Sequence, residues 1–92
     1  MQVLEITTQS GSIYRLRKSV RGRWYLAGKN VPSSTSQDIQ AGEWEVELPT
    51  VPTIGQPFRA YAPESMDRND PARIPGGGKI TSPITNIEIK EL

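Results

Sequence analysis

The sequence predicts an all-β fold: one small barrel, SH3-like or OB-like, of five to six short strands over residues 1–92, with a long Pro/Gly-rich loop before the last strand. Three observations lead there. Apolar residues alternate with polar ones at period two rather than at helical spacing, and turn residues interrupt the alternation at short intervals. A length of 92 residues suits a barrel better than a sandwich, which usually needs about 100. A second core would leave each half near the size that needs disulfides or metals, so a single domain is expected.

Val3 to Thr8 reads as the first strand, and Gln9-Ser10-Gly11-Ser12 is a glycine-containing connection of hairpin length leading to its partner, Ile13 to Lys18. Alternation places Tyr14 and Leu16 on one face of that partner and Ile13, Arg15 and Arg17 on the other. Ser19 to Gly22 turns the chain into a third strand, Arg23 to Ala27, with Trp24 and Leu26 on one face, Arg23 and Tyr25 on the other, and Gly28 as its end. Residues 30 to 42 are polar and serine-rich and read as a long loop, with a short helical turn capped by Ser36.

Glu43 to Leu48 carries the cleanest alternation: Trp44, Val46 and Leu48 face inward and Glu43, Glu45 and Glu47 outward, so this strand has one wet face. The three prolines and one glycine of Pro49 to Pro57 argue for a rigid connection. Phe58 to Ala62 is the fifth strand. Pro63 to Gly78 is the longest irregular stretch, of a length that is often functional or mobile, and ends in Pro75-Gly76-Gly77-Gly78; the glycine run with Lys79 suits a hinge or a loop disordered until a partner arrives. Lys79 to Leu92 closes the chain as a strand interrupted at Pro83, which suits a bulge or an edge, with Thr85, Ile87 and Ile89 inward and Glu88 and Lys90 outward. Pairing this strand with an early one would remove the exposed edges of an open sheet. Thr8 to Ser12 and Ile80 to Ile84 read as a matched pair of terminal-strand motifs.

Composition excludes much chemistry. With no cysteine and no histidine, disulfide frameworks, thiolate and imidazole metal sites, cysteine nucleophiles and histidine-dependent triads are absent. A hydrophobic content of 35% argues against a large enclosed substrate cavity and places function on a groove or a face. Met1-Gln2-Val3-Leu4-Glu5 is not a basic segment followed by an apolar one, and no apolar run is long enough to span a bilayer, so a cytoplasmic location away from membranes is expected.

Charge is unevenly distributed along the chain. The first 30 residues hold six of the eleven basic groups and one of the ten acidic groups. Arg15, Arg17, Lys18, Arg21, Arg23 and Lys29 lie among Tyr14, Trp24 and Tyr25, a mixture suited to nucleic acid: the cations would contact phosphates and Tyr25 would stack on a base. The same residues also suit a solvated sheet face, with Arg15 and Arg17 in cross-strand ion pairs with Glu43, Glu45 or Glu47.

The leading expectation is therefore a non-catalytic binding module for nucleic acid. The alternative is a protein-interaction module or assembly subunit, self-association included, using Glu43, Glu45, Glu47, Asp67, Asp70 and the 63–78 loop. A small hydrolase acting through Glu45 is the least favoured, because an exposed strand face cannot desolvate an acid. Gly76-Gly77-Gly78-Lys79 is not a phosphate loop, since Arg73 and Ile80 stand where that motif needs glycine and a hydroxyl. Asp67, Asn69 and Asp70 are not a calcium loop, since Ala72 and Gly78 occupy its glycine and glutamate positions; they read as turn chemistry. No metal or cofactor is expected.

Overall fold

The structure is a computed structural model that describes residues 1–30 and 42–91. It contains six strands: β1 (Gln2–Thr8), β2 (Ile13–Lys18), β3 (Trp24–Asn30), β4 (Glu43–Val46), β5 (Pro57–Tyr61) and β6 (Gly78–Glu91). They form one antiparallel sheet in the order β4-β3-β2-β1-β6-β5, curled into a nearly closed barrel. The all-β barrel expected from alternation is the observed architecture, and the terminal strand does pair with the first.

Period-two alternation fills the interior. Leu4, Leu16, Leu26 and Trp44 stand opposite one another across β1 to β4. Ile6, Tyr14, Phe58, Ala60, Ile74 and Ile84 complete the core with Leu16, Leu26 and Val46. The Tyr14 and Phe58 rings meet at 6.3 Å between centroids in a tilted arrangement. Burial of each large apolar side chain contributes about 1.5–3 kcal/mol.

The ends of the sheet meet without forming a ladder. Glu47 N–H donates to the Tyr61 carbonyl at 2.7 Å and Tyr61 N–H to the Glu47 carbonyl at 3.0 Å, while Glu45 N–H donates to the Ala72 carbonyl at 3.1 Å. The remaining gap is filled by the stretch between β5 and β6. Asp67 Oδ1 accepts the Asn69 N–H and Asp70 Oδ1 accepts the Ala72 N–H, both at 2.8 Å, which is the turn chemistry expected of these residues. The chain is thereby aimed so that Ile74 enters the core at 1% exposure. A 3-10 turn, Pro75–Gly77, then leads into β6. The stretch is thereby tied to the core by Ile74 just before its glycine run.

Several boundaries differ from expectation, each for a local reason. β3 does not stop at Gly28. Gly28 stands opposite Tyr14, and a register shift accommodates Lys29 as an extra residue before Asn30 pairs with Ile13. β4 ends at Val46, because Glu47 turns to Tyr61. β6 is not interrupted at Pro83: the strand changes partner there, with Pro83 opposite Pro57 on β5 and Ile84 opposite Thr8 on β1. A bulge at Thr7/Thr8 makes Thr85 the extra residue, so Ile84 rather than Thr85 points inward. Ile89 lies beyond the covered end of the core and is exposed. The two terminal-strand motifs meet, Ser10 N–H donating to Ser82 Oγ at 3.0 Å. The 30–42 loop and its Ser36-capped turn lie outside the described residues, apart from its two ends.

Truncating Ile74 tests whether the 63–78 stretch belongs to the core. Ile74→Ala should lower unfolding free energy in denaturant titrations by about 2–4 kcal/mol, whereas Ile80→Ala, on an exposed side chain, should stay within about 0.5 kcal/mol.

Candidate functional site

Alternation sends one set of side chains to the outer face of β1 to β4 and β6, and register decides who meets whom. Glu5 stands between Arg15 on β2 and Glu88 on β6. Although it faces outward, its side chain is only 9% exposed, because three cations close over it. Arg15 Nε lies 3.4 Å away, Lys29 Nζ 3.2 Å and Lys90 Nζ 3.9 Å. Lys90 also lies 3.4 Å from Glu88 and so bridges two carboxylates that the register sets opposite each other. Burial raises the Glu5 pKa, but the hydrogen bond and charge of Lys29, the charge of Lys90 and the Arg15 hydrogen bond outweigh it, and the net shift is downward.

The same face carries the remaining basic candidates. Arg17 holds Glu43 with both ends of its guanidinium, Nε to Oε2 at 2.7 Å and Nη2 to Oε1 at 2.6 Å. It also lies over the Tyr25 ring at 4.3 Å, covering one side of that ring. Arg23 Nη1 donates to Glu45 Oε1 at 3.0 Å, and the Tyr25 hydroxyl donates to the same oxygen at 3.5 Å. Hydrogen bonding to Glu43 and to Glu45 raises the Arg17 and Arg23 pKa values.

Of the seven residues expected to meet nucleic acid, Arg15, Arg17, Arg23 and Lys29 are thus in ion pairs, and Tyr25 lies beneath Arg17. Lys18 Nζ sits 5.5 Å from the Trp24 ring. Arg21, at the exposed tip of the β2–β3 turn beside a fully exposed Val20, has no ion-pair partner among the described residues. The anticipated cross-strand pairing holds for Arg17 with Glu43, while Arg15 turns the other way, to Glu5.

The alternative set converges differently. An open cleft of about 510 Å³ lies at the end of the barrel that carries the β2–β3 turn. Its apolar lining is Trp24, Val46, Leu48 and Pro63; its polar lining includes Arg23, Glu45, Glu47 and Ser65. Glu47, which is exposed, has no side-chain partner among the described residues. Asp67 and Asp70 do not line the cleft; each has one carboxylate oxygen on the backbone N–H two residues further along. A smaller recess of about 280 Å³, lined by Leu4, Leu16, Lys18 and Ile89 among others, shares Trp24 with the cleft.

Trp24, Val46 and Leu48 are the cleft residues that alternation assigned to the core, while Pro63 and Ser65 belong to the 63–78 loop of the alternative reading. The available signal was the position of Trp24 at the very end of a strand, where an inward ring is only half covered. Among the described residues no three carboxylates gather as a metal site, and no helix is long and apolar enough to cross a membrane.

Comparison with known proteins adds no identity: no protein family, curated protein or solved structure matches this chain.

The buried carboxylate makes stability depend on acid. Because the folded pKa of Glu5 is below its unfolded value, its contribution is complete above the unfolded pKa of 4.5 and is lost as pH falls through that value toward the folded one. Denaturation midpoints should therefore decline on acidification below about pH 5. Glu5→Gln should be less stable at neutral pH and should show a flatter decline; an unchanged pH profile would remove the Glu5 cluster from this account.

Proposed function

We propose that the chain is a non-catalytic binding module that receives a segment of a partner protein in the cleft between the β2–β3 turn, β4 and Pro63–Ser65. One observation carries this reading: barrel closure brings Glu45 and Glu47 of the acidic strand together with the start of the 63–78 stretch, over the half-buried ring of Trp24. A tryptophan recess with a polar rim is the kind of surface on which binding energy concentrates. The outer sheet face is less suited to a ligand, since an incoming phosphate would first have to displace Glu5, Glu43 or Glu45 from its cation.

A second reading keeps nucleic acid as the ligand and confines it to the β2–β3 turn. It is favoured by Lys18 and Arg21, which are not in ion pairs among the described residues and flank the exposed Val20. Two phosphate contacts would give a shallow salt dependence, a log-log slope of about −2 on duplex DNA.

Random-peptide phage display against the chain tests the first reading. Enriched clones should lose binding on Leu48→Asp or Ser65→Arg, two changes in the cleft lining, and keep it on Arg21→Gln. Clones indifferent to both cleft variants, or no enrichment beside salt-sensitive binding of labelled oligonucleotides that Arg21→Gln abolishes, would overturn it in favour of the turn.

A further inference from the structure

Resting on that reading, the cleft also specifies the chemistry of its occupant: we infer that it takes a proline-containing segment bearing a lysine or arginine, bound through side chains rather than as an added strand.

Backbone geometry comes first. Extended peptides commonly bind by adding to a sheet edge, where free N–H and C=O groups receive them. The edge of β4 offers little of this. The N–H and C=O of Glu47 are both bonded to Tyr61, and the Glu45 N–H is bonded to Ala72. A ligand here must therefore bring a backbone that needs no partner strand. The polyproline II conformation meets that requirement, since it has no internal hydrogen bonds and its backbone groups stay in water. The Trp24 ring, with Leu48 and Pro63 beside it, offers the apolar surface on which a pyrrolidine ring packs.

Charge then selects the neighbour. The cleft lining has one cation, Arg23, and two carboxylates, Glu45 and Glu47. Arg23 and the Tyr25 hydroxyl are bonded to Glu45, whose side chain is 14% exposed, whereas Glu47 is exposed and unpaired among the described residues. A cation at the mouth would meet Glu47 against an apolar wall, where a charge pair is stronger than in open water. An anionic side chain there would face the Glu47 carboxylate, which no described cation neutralises.

The test uses three synthetic peptides, blocked at both ends and identical except at one position within a run of prolines: arginine, glutamine or glutamate. Binding to the ¹⁵N-labelled chain is followed through the Trp24 indole N–H, assigned with Trp24→Phe. The arginine peptide should shift that resonance and bind about tenfold more tightly than the glutamine peptide, with the glutamate peptide weakest. Glu47→Gln should remove the arginine advantage and leave the glutamine peptide unchanged. Equal affinity of the arginine and glutamine peptides at the cleft would refute the charge inference while leaving the cleft reading in place. No response of Trp24 to any of the three, with phage-selected peptides also failing to shift it, would refute both. New amide protection along β4 on binding would show strand addition and overturn the conformational half of the inference.

Discussion

Closure of the sheet is the constraint on which the remaining structure depends. Strand pairing alone does not achieve it, since β4 and β5 touch through one reciprocal pair of hydrogen bonds between Glu47 and Tyr61. The gap that this leaves would expose the interior between Val46 and Ala60. It is sealed by the 63–78 stretch, whose Asp67 and Asp70 turns deliver Ile74 to the core. The candidate cleft is a product of the same closure: β3–β4 pairing sets Val46 and Glu47 beside Trp24, and Pro63 joins them only when the ends of the sheet come together.

The charge asymmetry of the chain disappears on folding. The basic segment and the acidic strand are far apart along the sequence yet form adjacent strands of one sheet, β2 and β3 beside β4, so Arg17 meets Glu43 and Arg23 meets Glu45. Glu5, the single acidic residue among the first 30, becomes a hub for Arg15, Lys29 and Lys90. A face on which cations are paired with carboxylates has little net field to attract a polyanion. Glu47, just past β4, and Arg21, at the turn, stand outside this pairing among the described residues.

Alternation made the interior of β1 to β4 legible, because period two assigns each side chain to a face wherever the strand is regular. It failed where strands are irregular. Gly28 and Thr85 were misjudged because a bulge changes register by one residue without changing composition. The importance of Glu5 could not be read locally, since Lys29 reaches it from the second strand over and Lys90 from the far end of the chain. The cleft had the same character: Glu45 and Glu47 stood out as an acidic row, but Leu48 and Pro63 acquire meaning only from the closure of the sheet. Ile74 was hidden among glycines and prolines, where an isolated apolar residue gives no periodic signal.

Pro83 also constrains how the chain can err. β6 is 14 residues long and serves two partners, so a slip of its register would misplace side chains on both β1 and β5. The residue at the changeover has no N–H, yet its carbonyl accepts the Gln9 N–H at 2.8 Å. Shifting the strand by one position would carry this donorless residue toward a site where a ladder partner expects a hydrogen bond, leaving an acceptor empty. Pro83 thus works against mispairing as an alignment mark, giving the longest strand of the barrel one registration that leaves the ladder intact.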